Sequence, residues 1–501
     1  MNLMMLLEMA AQGLGDRVAV TNGDESLSYS ELFNAAGAAA ADVSGRDVKH
    51  LAVLDVSSLA VPVSLFASAW AGLPYVPLNY RLTGEELERL VGQIVPSVLV
   101  TDSERAPKLA HLDGTDIVTR EDFLDSARGG TAGDPNWSME AEDIAILLFT
   151  SGTTGPPKAA VLRHRHLVSY ILGSVEFASA AEDDAALVCV PPYHIAGMAA
   201  IVSSVYSGRR IVQLPNFTAD GWLELARREK VTNAFVVPTM LARIIDALGD
   251  AAFADLPHLR ALSYGGGKMP QSVIEKAMKL FPDAAFTNAY GLTETSSTIA
   301  ILGPDEHRAA AESDEPKVRQ RLVSVGRPLP SVEVSIRDDE GKPLGPGERG
   351  EICVRGEQVS GEYLGRGSRL DKEGWFATRD GGSMDADGYL FLEGRIDDII
   401  VRGGENISPG EVEDVLLDHA AVADAAVVGV PDEQWGEGVA AAVVLKQGLS
   451  ASADELRTWV KDRLRSSRAP ERIDFCDELP YNETGKLLRL RVRAQMTGEG
   501  S

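Results

Sequence analysis

The sequence predicts an α/β protein with a large N-terminal domain of two helix-covered, mainly parallel sheets, a β-rich subdomain and a small α+β C-terminal domain. From about residue 17 to 300, short Val/Ile/Leu/Ala runs alternate with longer helical segments, a pattern typical of parallel sheets covered by helices. Between about 323 and 395, short strand patterns are joined by Gly/Pro-rich turns. After Asp397 the pattern fits a separate domain of about one hundred residues. We therefore predict domains at 1–396 and 397–501, with the β-rich subdomain at about 323–395.

The first part of the chain repeats a strand followed by a helix. Leu51–Val56 precedes a helix at Ala60–Ala71, and Asn233–Val237 precedes Pro238, whose fixed φ suits the first turn of a helix. Further predicted elements are the helix Thr239–Leu248, the strand Leu259–Tyr264, a helix from Pro270 and the strand Ala285–Tyr290. Ligands in such sheets bind at the carboxyl ends of the strands. We expect a site where these apolar runs end.

The later elements follow two different patterns. In the β-rich subdomain the predicted strands are Val332–Ile336, Glu351–Val354 and Tyr389–Glu393. In the last domain we predict a helix at Gly410–Leu417, strands at Ala425–Val430 and Val439–Leu445, a helix at Asp454–Leu464 and a strand near Ile473–Cys476. An α+β arrangement fits this order.

Charge and cysteine usage limit the classes of partner. The chain has 501 residues, with 48 Lys and Arg against 74 Asp and Glu, a net charge of −26 that repels phosphodiester backbones and anionic lipid. Nucleic acid is therefore not an expected partner. Cys189, Cys353 and Cys476 lie far apart without a C-x-x-C spacing, which favours neither disulfides nor a thiolate zinc site. A reducing, cytoplasmic location is predicted.

No segment of the sequence predicts membrane insertion. The apolar cluster Leu3–Leu7 is interrupted by Glu8 and has no Lys or Arg before it, so we predict an amphipathic first helix and no signal peptide. The longest other apolar stretch, Ile195–Tyr206, contains two serines and is too short to cross a bilayer. A soluble protein is expected.

A hydroxyl-rich, glycine-containing segment follows the apolar run Ile144–Phe149. It consists of Thr150, Ser151, Gly152, Thr153, Thr154, Gly155, Pro156, Pro157 and Lys158. Such a segment offers backbone N–H groups, hydroxyls and a lysine to an anion, which predicts a loop that binds a nucleoside triphosphate. The Walker pattern does not fit, because two prolines separate Gly155 from Lys158 and an alanine follows the lysine. A flexible linker is the alternative.

Five further motifs follow in order, and together they carry a family resemblance. They are Tyr290–Glu294, Asp380 in Trp375–Asp380, Gly394–Asp398, Gly403–Pro409 and Asn482–Lys486. Over nearly its whole length the chain resembles the adenylate-forming superfamily, which includes acyl-CoA synthetases, peptide synthetase adenylation domains and firefly luciferase. The resemblance implies that the small C-terminal domain is hinged to the large one.

The resemblance also implies a nucleotide site. The loop from Thr150 to Lys158 would wrap the β- and γ-phosphates, Glu294 beside Thr293 would hold Mg²⁺, and Tyr290 would stack on adenine. Asp380 and Arg395 resemble the ribose-binding pair, and a surface salt bridge is the alternative for them. For Thr293 and Glu294 the alternative is a helix cap. Other residues implied for ATP or AMP are Gly265, Gly266, Gly267, Asn288, Ala289 and Gly291. Arg379 departs from the family, which usually has glycine there.

The C-terminal motifs imply a domain rotation. Lys486 resembles the lysine that bridges the substrate carboxylate and the α-phosphate, so it is the predicted catalytic lysine. Asp397 matches the hinge about which the small domain turns after adenylation. Gly403 and Gly404 would then let a pantetheine arm pass close to the backbone.

An acyl pocket is predicted beside His194. This histidine matches a gate next to the acyl site, and a core histidine is the alternative. Ala196, Gly197 and Met198 would line the pocket, with Tyr264 on the opposite wall; plain helix core is the alternative for the first three. Lys268 lies just beyond and could pair with a second carboxylate, but a surface position is favoured.

These expectations combine into an AMP-forming acyl-CoA ligase. It would convert a hydrophobic carboxylic acid and MgATP into acyl-AMP and pyrophosphate, and then transfer the acyl group to coenzyme A, with Lys486, His194, Thr293 and Glu294 as catalytic residues. A separate acyl carrier protein as acceptor, a luciferase-like monooxygenase and a catalytically silent adenylate-binding protein are the alternatives. A homodimer is left open, and the acid itself is not predicted.

Overall fold

The computed structural model describes residues 1–82, 84–150, 158–403, 405–432, 434–482 and 487–498. Over these ranges two large sheets are covered by helices, and a smaller antiparallel sheet leads into a last sheet near the C-terminus. The predicted α/β class is confirmed. None of the described helices combines the length and apolar character that crossing a bilayer requires.

Eight of the described strands form the first sheet. In spatial order they are Gly367–Ser368, Glu362–Tyr363, Lys158–Arg163, Ile144–Thr150, Tyr75–Pro77, His50–Leu54, Ser97–Thr101 and Thr115–Thr119. The last five strands in this order run parallel, and the others pair antiparallel. The helix Ala60–Ala71 matches its predicted bounds and is buried almost throughout, which is why it is apolar on every face.

Nine of the described strands form the second sheet. In spatial order they are Arg327–Pro328, Ser297–Leu302, Ala285–Leu292, Ala261–Gly265, Asn233–Val236, Ala185–Val188, Arg210–Gln213, Val18–Asn22 and Glu25–Ser28. The six strands from Ala285–Leu292 to Val18–Asn22 are parallel. Their carboxyl ends therefore lie at one edge, where the predicted nucleotide motifs begin.

The helices begin at recognisable signals. Ser28 and Glu31 form a reciprocal capping box, and Pro238 occupies the first turn of its helix. The α-helices are Met4–Leu14, Tyr29–Ser44, Ala60–Ala71, Gly84–Val91, Ala106–Leu109, Arg120–Gly129, His164–Ser174, Ile195–Ser207, Ala219–Arg228, Pro238–Leu248, Gln271–Leu280, Pro304–Glu312, Pro316–Gln320, Pro409–Leu417, Ala453–Lys461 and Arg489–Thr497. Short 3₁₀ turns cover Thr293–Thr295, Arg321–Val323, Ile396–Asp398 and Ser466–Arg468.

The predicted β-rich segment is an antiparallel sheet. Its strands are Glu333–Arg337, Gly350–Arg355, Phe376–Met384 and Leu390–Arg395, in that spatial order. The sequence predicted the first, second and fourth of these strands within one or two residues. The strand Phe376–Met384 was not predicted, because Asp380, Gly381 and Gly382 interrupt its apolar alternation.

The last sheet has its own core. It contains Ile400–Arg402, Glu405–Ile407, Val422–Asp432, Gly436–Leu445 and Arg472–Phe475. The predicted strands Ala425–Val430 and Val439–Leu445 are present, and both extend further than the sequence indicated. Val412, Val427, Val443 and Leu456 are buried together in this unit. The turn Ile396–Asp398 connects the β-rich sheet to it, although the domain boundary itself remains a prediction.

Candidate active site

Tyr290, Asp380 and Arg395 meet between the second sheet and the β-rich sheet. The Tyr290 hydroxyl donates to Asp380 Oδ2 at 2.7 Å, and Arg395 Nε lies 3.1 Å from Asp380 Oδ1. Asp380 and Arg395 are directly opposite each other on adjacent strands, and Arg395 Nη1 also donates to the Thr378 carbonyl at 2.8 Å. The structure thus brings together three residues that the sequence predicted from separate motifs. Tyr290 lies ninety or more positions before the other two.

The pKa of Tyr290 shows how enclosed this group is. Tyr290 is only 7% exposed. Burial, and next the negative charge of Asp380, hold the pKa of the Tyr290 hydroxyl well above its usual range. Tyr290 is therefore a permanent hydrogen-bond donor that fixes one oxygen of Asp380. The predicted stacking of its ring on adenine remains a prediction.

Glu294 lies in the turn that follows the Tyr290 strand. The Tyr363 hydroxyl donates to Glu294 Oε1 at 2.5 Å, and Lys158 Nζ lies 5.9 Å from the centre of the Tyr363 ring. Burial and the neighbouring Glu294 carboxylate raise the pKa of Tyr363, and the positive charge of Arg395 partly offsets this increase. Tyr363 therefore joins Lys158 to Glu294, and we predict that the Asp380–Arg395 pair belongs to the same site.

Glycines allow the strand ends to approach closely here. A Cβ on Gly265 would lie 2.2 Å from the Ala289 carbonyl oxygen, and one on Gly291 would lie 1.8 Å from the Ser297 carbonyl oxygen. Gly266 has φ +81°, a backbone conformation that disfavours other residues. The predicted segments Gly265–Gly267 and Ala289–Gly291 therefore lie side by side at the carboxyl ends of neighbouring strands.

Asn288 and Thr293, two residues predicted at the nucleotide site, make contacts within the protein. The Asn288 amide is buried and donates to the Ser324 carbonyl at 3.0 Å, so this side chain is engaged in the core. Thr293 begins the turn Thr293–Thr295, and its carbonyl accepts from the Ser296 N–H at 3.1 Å. The turn holds Glu294 in place. A direct role of Thr293 in catalysis remains a prediction.

The phosphate-binding prediction rests partly on residues outside the described ranges. Thr150 ends its strand and its hydroxyl donates to the Lys158 carbonyl at 3.3 Å, so the two ends of the loop are joined. Ser151, Gly152, Thr153, Thr154 and Gly155 lie outside the described residues, as do Gly404 and Lys486.

His194 is placed beside an aromatic cluster. Its ring centre lies 4.4 Å from that of Tyr193, and Tyr193 lies 5.3 Å from Tyr80. Burial, with a smaller effect of Arg81, lowers the pKa of His194 to about 4, and its Nε2 has no hydrogen-bond partner among the described residues. A neutral histidine with an unused nitrogen is chemically suited to contact a ligand.

The other predicted pocket residues divide between core and site edge. Met198 is fully buried in a core that includes residues of both large sheets, and Tyr264 is fully buried with its hydroxyl 2.8 Å from His307 Nε2. Both side chains pack inside the protein, and their place in an acyl pocket stays a prediction. Gly197 allows close approach, since its Cβ would lie 2.8 Å from the Pro191 carbonyl oxygen, and Ala196 is partly exposed.

Three contacts join the chain after Arg395 to earlier parts of the protein. Arg379 is ion-paired with Asp397, the Ser408 hydroxyl donates to the Glu393 carbonyl at 2.7 Å, and Lys268 Nζ lies 2.5 Å from Asp414. Lys268 is therefore ion-paired with a carboxylate of the same chain, that of Asp414. Gly403 has φ +56°, and a Cβ there would lie 2.7 Å from the Trp435 ring.

Tyr363 is the main site residue that sequence reasoning missed. It lies in the two-residue strand Glu362–Tyr363, which pairs with Ala160 on the strand that begins at Lys158. A strand this short gives no periodic signal. The contact with Glu294 joins residues 69 positions apart, which local patterns do not reveal.

The chain matches a known enzyme family. A family model described as AMP-binding enzyme matches residues 7–364, and one described as AMP-binding enzyme C-terminal domain matches residues 411–486. The chain belongs to the AMP-binding enzyme family. The predicted resemblance to adenylate-forming enzymes is confirmed.

Individual relatives cover almost the whole chain. A feruloyl-CoA synthase of Amycolatopsis sp. is 33% identical over 95% of both chains. The fatty acid–acyl-carrier-protein ligase ScoC of Streptomyces coeruleorubidus is 33% identical over 87% of this chain and 85% of its own. Among solved structures, o-succinylbenzoate CoA synthetase of Bacillus subtilis with its acyl-adenylate intermediate has a TM-score of 0.83 and 31% identity over 97% of both chains.

Proposed function

We propose that the protein is an AMP-forming ligase that joins a hydrophobic, aromatic carboxylic acid to coenzyme A. In the first half-reaction a carboxylate oxygen attacks the α-phosphorus of ATP, and the bond to pyrophosphate breaks. In the second, the thiol sulfur attacks the acyl carbonyl carbon, loses its proton and releases AMP. The observation that carries this proposal is the joined Tyr290–Asp380–Arg395 group, with Glu294 in the turn that directly follows the Tyr290 strand.

The described residues are suited to hold the nucleotide. Asp380 has its carboxylate oriented by Tyr290 and Arg395, so it can accept hydrogen bonds from vicinal ribose hydroxyls without reorganising. Lys158 supplies a positive charge at the end of the loop that begins at Thr150. These groups orient a triphosphate and neutralise charge, which is the main requirement for attack on phosphorus.

The residues at Glu294 fit a magnesium ion. Magnesium is usually held by one or two carboxylates, with phosphate and water oxygens completing its shell. Within the described ranges no cluster of three or more metal-ligating side chains exists, and Glu294 is a single carboxylate with one oxygen held by Tyr363. Bound there, the ion would neutralise phosphate charge.

A bidentate contact ties the start of the last helix to the proposed hinge turn. Arg489, three residues later, is paired with both oxygens of Glu413 and lies 3.4 Å from Asp398, the neighbour of Asp397. Arg489 itself therefore lies beside the proposed hinge turn. We assign Lys486 to adenylation, Asp397 to rotation and Gly403 with Gly404 to the thiol channel.

The acid is proposed to carry an aromatic ring. Tyr80, Tyr193 and His194 form a cluster of rings in edge or tilted contact, which suits an aromatic acyl group. The names of the feruloyl-CoA and o-succinylbenzoate relatives agree with such a substrate. We place the enzyme in the cytoplasm, since its three cysteines are free thiols.

A carrier protein is the second candidate acceptor, because the relative ScoC is named as an acyl-carrier-protein ligase. The test is a panel of ferulate, 2-succinylbenzoate and a medium-chain fatty acid, scored by acid-dependent pyrophosphate release. Each acid is assayed with coenzyme A, with a phosphopantetheinylated carrier protein and with neither. We expect turnover with an aromatic acid and coenzyme A. Turnover only with the carrier would support the second candidate, and no acid-dependent release from a wider panel would contradict both.

A further inference from the structure

Tyr363 contacts two groups of the proposed nucleotide site at once. Its hydroxyl donates to Glu294 Oε1 at 2.5 Å, while the face of its ring lies 5.9 Å from Lys158 Nζ. A cation within about 6 Å of an aromatic ring centre is attracted to the ring. One half-buried side chain therefore orients a carboxylate with its polar end and a lysine with its apolar face.

The backbone around Tyr363 is fixed to the same carboxylate residue. The N–H groups of Ser360 and Gly361 donate to the Glu294 carbonyl at 2.8 and 3.2 Å. The segment 360–363 thus holds Glu294 by its main chain and by its side chain. This arrangement leaves little freedom in the direction of the carboxylate.

A second anchor holds the Tyr363 segment in position. Arg163 donates to both oxygens of Glu362, at 2.9 and 2.7 Å, and the Leu364 N–H donates to the Ala159 carbonyl at 2.9 Å. Both partners lie on the strand Lys158–Arg163. Tyr363 is consequently rigid relative to Lys158, and the geometry between the two predicted ligands is built into the sheet.

We propose that Tyr363 is a positioning residue that keeps Glu294 available to the metal ion and separate from Lys158. This inference rests on the proposed function. Among the described residues no ion pair joins Lys158 to Glu294, and the Tyr363 side chain contacts both. Hydrogen bonds to a ligating carboxylate set its direction, and their removal typically costs about 10- to 100-fold in metal affinity or activity.

The Tyr363 phenol serves as a hydrogen-bond donor to the Glu294 carboxylate. The proposed role is orientation of that carboxylate and involves no proton transfer. Its contribution should therefore appear in metal binding and not in a new pH dependence.

The test compares Tyr363→Phe with Tyr389→Phe. Tyr389 is a matched control, because its hydroxyl also donates to a glutamate, Glu306, at 3.3 Å outside this group. Binding of Mn²⁺ in the presence of the non-cleavable α,β-methylene analogue of ATP is measured from the electron paramagnetic resonance signal of free Mn²⁺. We expect a Kd about tenfold higher for Tyr363→Phe and unchanged for Tyr389→Phe.

A second readout separates positioning from general damage. The Mg²⁺ concentration that half-activates pyrophosphate release should rise by about the same factor in Tyr363→Phe, while kcat recovers at saturating Mg²⁺. An unchanged Mn²⁺ Kd, or a kcat that stays low at all Mg²⁺ concentrations, would overturn the inference. A wild-type protein that binds no metal–nucleotide complex would instead overturn the proposed function.

Discussion

Arg379 adopts a left-handed backbone conformation and its guanidinium is ion-paired with the carboxylate of Asp397. Its φ is +64°, and its own N–H donates to Glu351 Oε1 at 3.0 Å. The left-handed region costs a residue other than glycine about 1–2 kcal/mol, which explains why glycine suits this position. The chain instead has a cation that contacts the proposed hinge.

Replacing Arg379 by glycine should separate the backbone cost from the ion pair. The pair is about half exposed on both sides and contributes at most about 1 kcal/mol. We expect Arg379→Gly to leave the free energy of unfolding within about 1 kcal/mol of wild type, and Arg379→Ala to be about 1 kcal/mol less stable than Arg379→Gly. Urea denaturation of the three proteins checks this. Equal stability of the two variants would contradict the backbone argument.

The same variant tests the hinge contact. Salt screens exposed charge pairs, so the ratio of thioester formation to adenylation in the wild type should depend on salt concentration. Arg379→Gly should weaken that dependence, because it removes the charge that faces Asp397. Rates of the two half-reactions at low and high salt provide the measurement. An identical salt dependence in both proteins would show that the pair does not influence rotation.

Charge on Asp380 should be required for nucleotide binding. Asp380→Asn keeps the shape of the side chain but weakens its bonds to Arg395 and Tyr290, and charge-assisted hydrogen bonds contribute about 1.5–3 kcal/mol. We expect AMP affinity, measured by calorimetry, to fall by about 10- to 100-fold. Glu333→Gln, in the exposed pair with Arg355 on the same sheet, is the control that should leave affinity unchanged. An Asp380→Asn protein with wild-type affinity would remove Asp380 from the site.

The sequence identified those features whose signals are local. The helix Ala60–Ala71 was predicted within its observed bounds, because its apolar run ends at Gly72, which adopts φ +69°. Asp380 and Arg395 were found because each lies in a recognisable motif. Their 3.1 Å separation depends on the pairing of two strands, which the sequence does not reveal.

Features that arise from tertiary contacts were missed or left undecided. Tyr363 acquires its role only when Glu294, distant in sequence, is brought to it. Tyr264 was predicted on the wall of the acyl pocket opposite His194; the structure adds that it is fully buried with its hydroxyl 2.8 Å from His307 Nε2. The apolar side of a strand end has the same composition as a pocket wall. The sequence therefore could not distinguish them.

Buried neutral histidines should make the protein less stable in acid. Burial lowers the pKa of His166 to about 3 and that of His164 to about 4, from an unfolded value near 6.5. Between these values the unfolded chain binds more protons, so stability is full above about pH 6.5 and falls as the pH decreases. We expect His166→Gln to reduce this slope by about 1.4 kcal/mol per pH unit between about pH 6 and 4.

Urea denaturation at several pH values tests that slope. His111→Gln is the comparison variant, because it makes the same substitution at a histidine that is more than half exposed. If His166→Gln retained the wild-type slope, burial of His166 would not be the source of the acid sensitivity.

Lys486 and Asp397 should affect opposite half-reactions. Lys486→Ala should abolish acid-dependent exchange of pyrophosphate into ATP, yet leave thioester formation from supplied acyl-AMP largely intact. Asp397→Pro should preserve adenylation and block thioester formation, since proline restricts the rotation. Equal loss of both half-reactions in Lys486→Ala would contradict its assignment, and surviving thioester formation in Asp397→Pro would contradict the hinge.

The most direct test of an acyl adenylate is the fate of carboxylate oxygen. The wild-type enzyme is supplied with MgATP, coenzyme A and an aromatic acid labelled with ¹⁸O in both carboxylate oxygens. The ¹⁸O content of each product is then measured by mass spectrometry. Attack on the α-phosphorus predicts AMP that carries one ¹⁸O, unlabelled pyrophosphate and acyl-CoA that retains the other ¹⁸O. Label in inorganic phosphate with ADP as the nucleotide product would contradict the account.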